Sequence, residues 1–384
     1  MPTSTLCTNL KSSLETIRAL KTDFDAAYET AMSSGTPAEI QKAQDLKHAL
    51  ETRAQKLQQE VNVLEAEHLY DLRAQYESQV MSLKRTGLIE TKIELDEMGK
   101  ETEVSFMKDI HGNECPVPSY ETIVERLAEQ KEFLFTKADQ GFGKFLLVPF
   151  GMSLGQMIQR FRVFLLDYKK DHPEFDRVDS LTMSDQSSWD PLSMLNNVYI
   201  GTDVNGTLIY DPKSFDANHG GVTKTQILKR QKTDQDPTLG WRLLFLQAGK
   251  DGTGFKEIPR QGKGEIQGEQ LPRTDLETGK SPKKYLEDQL RTSQDPTSAY
   301  YGESGMTPEE WMVMFMSHLQ ETGRPMDNFR KNTESVASLT GVYLKSYSSV
   351  PSSGWDQFFS QVALNGLVPF VEDKIMGLRV VVRG

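Results

Sequence analysis

The sequence is poor in cysteine and contains no long apolar run. Its 384 residues include only Cys7 and Cys115, too few for a disulfide framework or a cysteine-type zinc site. No apolar stretch approaches the roughly 20 residues that span a bilayer. The charged sequence that follows the first residues lacks the apolar core of a signal peptide. We therefore expect a cytoplasmic chain with no membrane partner.

Basic residues are outnumbered by acidic ones. The chain has 44 Lys and Arg against 55 Asp and Glu, a formal net charge of −11. Nucleic acids and anionic membrane surfaces are bound by clustered Lys and Arg, so we expect neither as a partner. The length allows two or three domains, each with its own core.

Residue patterns for catalysis and metal binding are also missing. Asp203-Val-Asn-Gly206 resembles the start of a calcium loop, but the bidentate Glu at the required spacing is absent, so a hairpin turn is the better interpretation. The glycines around Gly262 lack P-loop spacing, and the histidines lack metal-type spacing. The residue order assembles no nucleophile, base and orienting acid. The sequence therefore predicts a protein that is not an enzyme and that holds no cofactor or metal.

Residues 1–86 are predicted to form a helical hairpin or coiled coil. Apolar residues from Leu6 to Tyr28 recur at spacings of three and four, which places them on one helix face. Thr36, Pro37 and Glu39 then begin a second helix with a capping box. This helix has a heptad seam, a candidate surface for a homo-oligomer, at Ala43, Leu50, Leu57 and Leu64.

Residues 87–180 are predicted to be a mixed linker with helices. We expect one strand pair between Gly87 and Pro118, then a helix from Ser119 to Asp139. The apolar run Lys144–Val148 fits a buried strand and a buried helix end equally well. A further amphipathic helix is expected from Ser153 to Lys170. Its cations suggest either an anion site or, as the favoured interpretation, a solvated face: Arg160, Arg162, Lys169 and Lys170.

The composition then changes toward Gly, Asp, Pro, Asn and Thr. Asn197–Ile200 and Thr207–Tyr210 flank an Asn-Gly turn and predict a hairpin. Gly240–Leu246 predicts a strand. The stretch from Gly249 to about Thr297 has the composition of a long surface insertion, within which Lys284–Arg291 predicts a short helix.

Near the C-terminus, Thr307-Pro-Glu-Glu310 begins a helix with an N-cap, a proline and a capping-box Glu. Trp311 opens its large apolar face, and Gly323 ends it. After Pro351 an irregular segment leads to the terminal apolar strand Met376–Gly384. This segment mixes aromatic and small polar residues, which suits an adaptable binding surface, although aromatics that fill a core beneath a loop fit equally well. The candidate ligand-binding residues are Ser352, Ser353, Gly354, Asp356, Phe358, Phe359, Ser360, Asn365, Leu367 and Phe370.

From about Gly305 onward, this order of features resembles the C-terminus of C-type-lectin-fold variable proteins that are diversified by retroelements. In those proteins a Val-Pro…Trp stretch, here Val350-Pro351 and Trp355, leads to a closing strand with a Gly-Leu-Arg type motif, here ending at Arg379. Gly354 stands where the family often has Tyr. The resemblance implies an exchangeable surface that binds an unknown protein or other ligand.

The resemblance also implies the fold and the scaffold. We expect an α+β protein in which the N-terminal helical hairpin or coiled coil precedes a C-type-lectin-like domain at residues 181–384, with the insertion near 249–300. Gly240–Leu246 should pair with Leu378–Val382, and the scaffold residues should be Trp311, Trp355 and Arg379. Formylglycine-generating enzymes share this fold but need a cysteine pair, and the C-terminal half has no cysteine. The alternative is a structural protein that acts through its coiled coil.

Overall fold

The computed structural model is a mixed α+β protein with helices at its N-terminal end. The structure describes residues 2–95, 99, 101–176, 192–194, 199–328, 334–357 and 360–384, and their side chains except at 2–12, 60, 63–70, 174 and 193–194. These residues form two compact units. One unit comprises residues 1–71 with 123–131, and the other comprises residues 72–122 with 132–384. The predicted domain boundaries at 86 and 180 both fall within the second unit.

Helices and short strands alternate along the chain. The helices are α1 (Pro2–Ser34), α2 (Pro37–Tyr70), α3 (Leu72–Arg85), α4 (Tyr120–Ala128), α5 (Lys131–Asp139), α6 (Leu154–Asp171), α7 (Lys224–Thr233), α8 (Pro282–Thr292) and α9 (Pro308–Thr322). The strands are β1 (Glu90–Leu95), β2 (Glu101–Lys108), β3 (Glu114–Pro116), β4 (Lys144–Val148), β5 (Leu192–Met194), β6 (Leu208–Tyr210), β7 (Arg242–Leu246), β8 (Ile266–Gln267), β9 (Arg273–Thr274), β10 (Glu303–Gly305), β11 (Val336–Ser338), β12 (Val342–Leu344), β13 (Val350–Asp356), β14 (Gln361–Leu367), β15 (Met376–Leu378) and β16 (Val380–Arg383).

Helices α1 and α2 form a hairpin, in agreement with the stop and start signals in the sequence. Gly35 connects them at φ 62°, the left-handed conformation that ends many helices. Nη2 of Arg53 donates to Oγ of Ser13 at 2.8 Å, which ties the two helices together. The hairpin's buried cluster consists of small residues, and the larger apolar side chains stay partly in solvent. The buried residues are Ala27, Ala31 and Ala43, and the exposed ones are Leu14, Tyr28, Met32 and Ile40. Oligomerisation through this hairpin stays a prediction.

The segment from Gly87 to Pro118 is a three-stranded antiparallel sheet in the order β1-β2-β3. The expectation of a linker with one strand pair is wrong here. Charged side chains hide the strand alternation in the sequence, since they pair across the sheet instead of marking a loop. Nζ of Lys108, for example, lies 3.5 Å from a carboxylate oxygen of Glu90.

The terminal strand β16 lies inside a four-stranded sheet in the order β10-β16-β7-β4, with antiparallel pairing throughout. Val382 lies opposite Phe245, so the predicted pairing of the Gly240–Leu246 strand with the chain's end is confirmed. Lys144–Val148 is a strand, β4, which pairs with β7. The segment predicted as a mixed linker thus supplies a strand of the same sheet as the terminal strand.

The predicted hairpin around Asn205-Gly206 is wrong. Strand β6 pairs antiparallel with β12, while residues 199–206 form turns and residues 195–198 lie outside the described residues. The carboxylate of Asp203 accepts the N–H of Leu154 at 2.7 Å and lies 2.8 Å from Nζ of Lys224, which is likewise fully buried. This acidic turn residue is therefore a buried ion-pair partner that helps to begin helix α6.

Two other sequence interpretations of the central chain need correction. The helix expected from Ser119 to Asp139 is divided into α4 and α5. The stretch from 249 to 300 is not a plain surface insertion, because Arg273 within it is buried and bonds Glu303 through Nε and Nη2 at 2.7 and 2.9 Å. The short helix predicted within that stretch is confirmed as α8.

Helix α9 follows its sequence signals. Thr307 is the N-cap, Glu310 completes the capping box, and Gly323 ends the helix at φ 68°. The helix is buried along most of its length. The ring of Phe315 packs in a T-shaped manner against the ring of Phe161 on α6, and the two ring centroids are 5.6 Å apart. This helix lies beneath the second large sheet, whose strand order is β15-β11-β13-β14-β5.

Candidate binding surface

The C-terminal segment predicted as an irregular loop is a β-hairpin. Strands β13 and β14 pair antiparallel over seven positions, from Val350 opposite Leu367 to Asp356 opposite Gln361. The Pro-Ser-Ser-Gly start of β13 has low intrinsic strand propensity, so tertiary packing decides its conformation. A Cβ added to Gly354 would lie 2.7 Å from the main-chain oxygen of Asp327, which requires glycine at this crossing.

Part of the predicted ligand-binding set is buried. Ser352 and Ser353 are each 1% exposed and Ser360 is 4% exposed, and Gly354 is also buried. These four residues do not face solvent. Ser352, Ser353 and Gly354 lie on β13, a central strand with β11 on one side and β14 on the other, and Ser360 lies buried in the turn before β14. Phe358 and Phe359 lie outside the described residues.

Three other members of the set, Asp356, Asn365 and Leu367, are half-buried. Along β14, Val362 and Leu364 are buried, while Asn365 and Leu367 are half-buried on the opposite face. Residues directly opposite each other in a ladder point to the same side. Asp356 lies opposite Gln361 and is half-buried on this side, at the end of the hairpin away from Leu367. Ser352, opposite Asn365, and Gly354, opposite Ala363, are buried on the same side.

The turn after β14 extends this face with exposed apolar side chains. The main-chain oxygen of Pro369 accepts the N–H of Lys283 at 2.8 Å, and the N–H of Val371 donates to Val368 at 3.2 Å. Pro369 is buried, whereas Val368, Phe370 and Val371 are 49%, 72% and 57% exposed. We call this contiguous stretch the C-terminal patch: Leu367, Val368, Phe370 and Val371. An anchored turn that holds apolar side chains outward is typical of an interaction surface.

All three predicted scaffold residues bond to one residue that the sequence did not single out, Asp327. Its carboxylate accepts Nε1–H of Trp311 at 2.8 Å. The same carboxylate accepts Nε and Nη2 of Arg379 at 3.0 and 2.6 Å. Its main-chain oxygen accepts the N–H of Trp355 at 3.0 Å. Asp327 thus joins helix α9, the hairpin and the approach to the terminal strand.

Asp327 follows helix α9 in an unremarkable Pro-Met-Asp-Asn turn, and its φ is 54°, a conformation that Asp and Asn tolerate better than most residues. Nothing in the residue spacing relates it to Trp311 or Arg379. Burial of this carboxylate is complete and that of Arg379 nearly so, with side-chain exposures of 0% and 7%. Removing one member of such a buried pair is strongly destabilising, because it leaves the other charge without compensation.

His318 on helix α9 lies near this charged pair. Its Nδ1 accepts the main-chain N–H of Phe255 at 3.0 Å, which requires that nitrogen to be unprotonated. Burial, followed by the positive charge of Arg379, lowers the pKa of His318 to about 4. His318 is thus a half-buried residue of helix α9 that packs beside Phe255.

A groove of about 730 Å³ runs along the outer side of helix α6, and Arg160 lines it. The cation set predicted on this helix does not make the groove basic, since Asp167 and Asp171 line it as well. Nζ of Lys170 lies 2.7 Å from Asp167. The charges balance, which agrees with a solvated helix face.

Among the described residues, no group of three or more His, Cys, Asp or Glu side chains is placed to hold a metal ion. None of the described helices combines the length and apolar character needed to cross a bilayer. Comparison with protein-family models, with curated proteins and with solved structures finds no match to this chain.

Replacing Trp311 by alanine should lower the free energy of unfolding by about 3–5 kcal/mol, because it empties a fully buried site and removes a bond to Asp327. Phe370→Ala, at a mostly exposed position, should change it by no more than about 0.5 kcal/mol. Chemical denaturation of both variants measures the difference. Equal losses would show that the patch belongs to the core.

Acid should destabilise the protein partly through His318. The unfolded chain, with His318 near its ordinary pKa of 6.5, binds more protons than the folded chain with its value of about 4. The free energy of unfolding should therefore fall as the pH drops from 6.5 to 4, by at most about 3 kcal/mol from this group. His318→Asn keeps an acceptor for Phe255 and does not titrate. Unfolding curves of the two proteins should diverge across this window, and parallel curves would contradict the assignment.

Proposed function

We propose that the chain is a binding protein whose C-terminal patch contacts a protein partner, carried by a rigid C-type-lectin-like frame. The observation that carries this proposal is the exposure of Phe370, together with Val368 and Val371, on a turn whose ends are fixed. Exposed aromatic anchors beside polar groups are the usual centres of protein interfaces. Asn365, two residues before Leu367 on β14, provides such a polar group.

The residues that hold the frame together are different from the residues of the patch, which supports this proposal. Asp327, Trp311, Trp355 and Arg379 stabilise the hairpin from its buried side, while Phe370 takes no part in those bonds. Substitutions at the patch therefore leave the frame's bonds intact. A surface of this kind tolerates exchange of side chains, which is what the resemblance to diversified variable proteins requires.

A photo-crosslinking residue at position 370 tests the binding surface directly. In cells that express the full chain, we expect it to attach the chain to one protein of defined mass. Ile93, which is 60% exposed and lies on β1 in a different sheet, is the matched control position. Excess wild-type chain should compete with the crosslink, whereas a Phe370→Ser, Val371→Ser variant should not. The same products from positions 370 and 93, or no product from position 370, would contradict the proposal.

Diversification makes a separate prediction about the neighbouring DNA. A near-repeat of the final codons should lie close to a reverse-transcriptase gene, and it should differ from the coding copy at adenines. The structure sharpens this prediction, because buried positions do not tolerate exchange. The differences should fall at codons for half-exposed or exposed residues such as Asp356, Asn365 and Leu367, and they should spare Ser352, Ser353 and Gly354. A genome without such a repeat would remove diversification while leaving the binding surface to the crosslinking test.

A further inference from the structure

A second candidate site is a small cavity beneath helix α8. It lies on a different face of that helix from Lys283, whose N–H bonds the turn of the C-terminal patch. The cavity has a volume of about 150 Å³, comparable to an engineered protein cavity that binds benzene. We call it the Tyr285 cavity. Its walls are largely apolar or aromatic: Leu276, Tyr285, Tyr300, Leu378 and Val380.

Both phenols in the wall are committed to main-chain partners. The hydroxyl of Tyr285 donates to the main-chain oxygen of Glu277 at 2.5 Å, and that of Tyr300 donates to the oxygen of Thr274 at 2.9 Å. Their rings therefore form fixed walls of a size that suits a single aromatic ring. Offset or edge-on packing of such rings is favourable beyond the area that it buries.

One polar group in the lining is left unused. Nε2 of Gln289 is buried and has no hydrogen-bond partner in the structure, although Gln289 lines the cavity. A buried donor without a partner is costly.

The mouth of the cavity carries an excess of positive charge, which is unusual in a chain of net charge −11. Lys280, Lys284 and Arg291 share the single carboxylate of Asp288, at 2.9, 3.7 and 2.9 Å. Two of these cations, Lys280 and Arg291, belong to the cavity lining. One carboxylate cannot neutralise three cations, so an anion is attracted to this mouth.

The carboxylate inside the cavity does not oppose an anion. Glu303 lines the wall, but its oxygens are held by Nζ of Lys137 at 2.9 Å and by Nε of Arg273 at 2.7 Å. Both of these cations are buried. The negative charge of Glu303 is thus already compensated.

We propose that the Tyr285 cavity binds a small aromatic carboxylate. The ring fills the apolar interior, and the carboxylate lies at the mouth beside Lys280 and Arg291. Pockets of this kind combine an apolar lining with a few convergent polar groups. The proposal uses no residue of the C-terminal patch, so it stands or falls separately from the proposed protein-binding function.

Titration of the full chain with phenylacetate tests the proposal, with calorimetry and ligand-observed NMR as readouts. We expect saturable one-to-one binding in the millimolar range or tighter. Phenylacetamide, its neutral counterpart, should bind about tenfold more weakly. Equal binding of the two would reduce the cavity to an apolar hole and overturn the proposal. The absence of saturable phenylacetate binding would overturn it as well.

Two sets of variants locate the site. Leu276→Phe adds a ring to the wall and should abolish binding, while the thermal midpoint shows that the chain is still folded. Lys280→Gln with Arg291→Gln should weaken binding about tenfold, the sum of two partly exposed charge contacts. Lys283→Gln with Arg230→Gln removes the same charge outside the cavity lining and should leave the affinity unchanged. Equal weakening by both double variants, or full binding by folded Leu276→Phe, would place the ligand elsewhere.

Discussion

The buried carboxylate of Asp327 is the constraint on which the C-terminal half depends. It receives hydrogen bonds from Trp311 and Arg379, and its main chain receives one from Trp355. These three residues come from a helix, a strand connection and a hairpin that are distant in sequence. Because a buried charge without its partners is strongly unfavourable, the elements must assemble around Asp327 together. The bonds thereby fix the relative positions of helix and hairpin as well as contributing to stability.

A second buried network serves the same purpose elsewhere in the same unit. Nζ of Lys224 lies 2.8 Å from Asp203 and 2.8 Å from Glu309, and all three side chains are inaccessible to solvent. Burial alone would raise the pKa of Glu309, but the charge of Lys224 and bonds from Lys224 and Tyr210 lower it. The turn before β6 is thus attached to helix α9 by charge. Apolar packing is less selective, because it tolerates sliding that a directional ion pair does not.

The sequence was informative where structure is set locally. The start of α2 at Pro37, the capping box of α9, the helix α8 and the strand β7 all follow from residue patterns of a few positions. It was misleading where a partner distant in sequence decides which conformation a segment adopts. Strand β6 pairs with β12 instead of forming the hairpin that Asn205-Gly206 suggests. The charged strands of the first sheet hide their alternation, because charged side chains such as Lys92 and Lys108 pair with carboxylates on other strands of the sheet. Nothing in the sequence around Asp327, Lys224 and Glu303 indicates their roles, because those roles depend on burial beside partners that are distant in sequence.

The candidate binding surface shows the same limit. Composition singled out the region from Ser352 to Phe370 as a candidate, but it could not separate buried from exposed residues within it. Ser352 and Gly354 look like loop residues, yet they are small because neighbouring chain crosses close to β13, as the 2.7 Å approach at Gly354 shows. Phe370 looks like a core residue, yet the hydrogen bond between Pro369 and Lys283 holds the turn so that its ring stays in solvent. In this region small polar side chains are buried and a large apolar one is exposed. Residue type alone therefore does not separate buried from exposed positions in this region, because the packing around β13 and the anchored turn decide the exposure of each side chain.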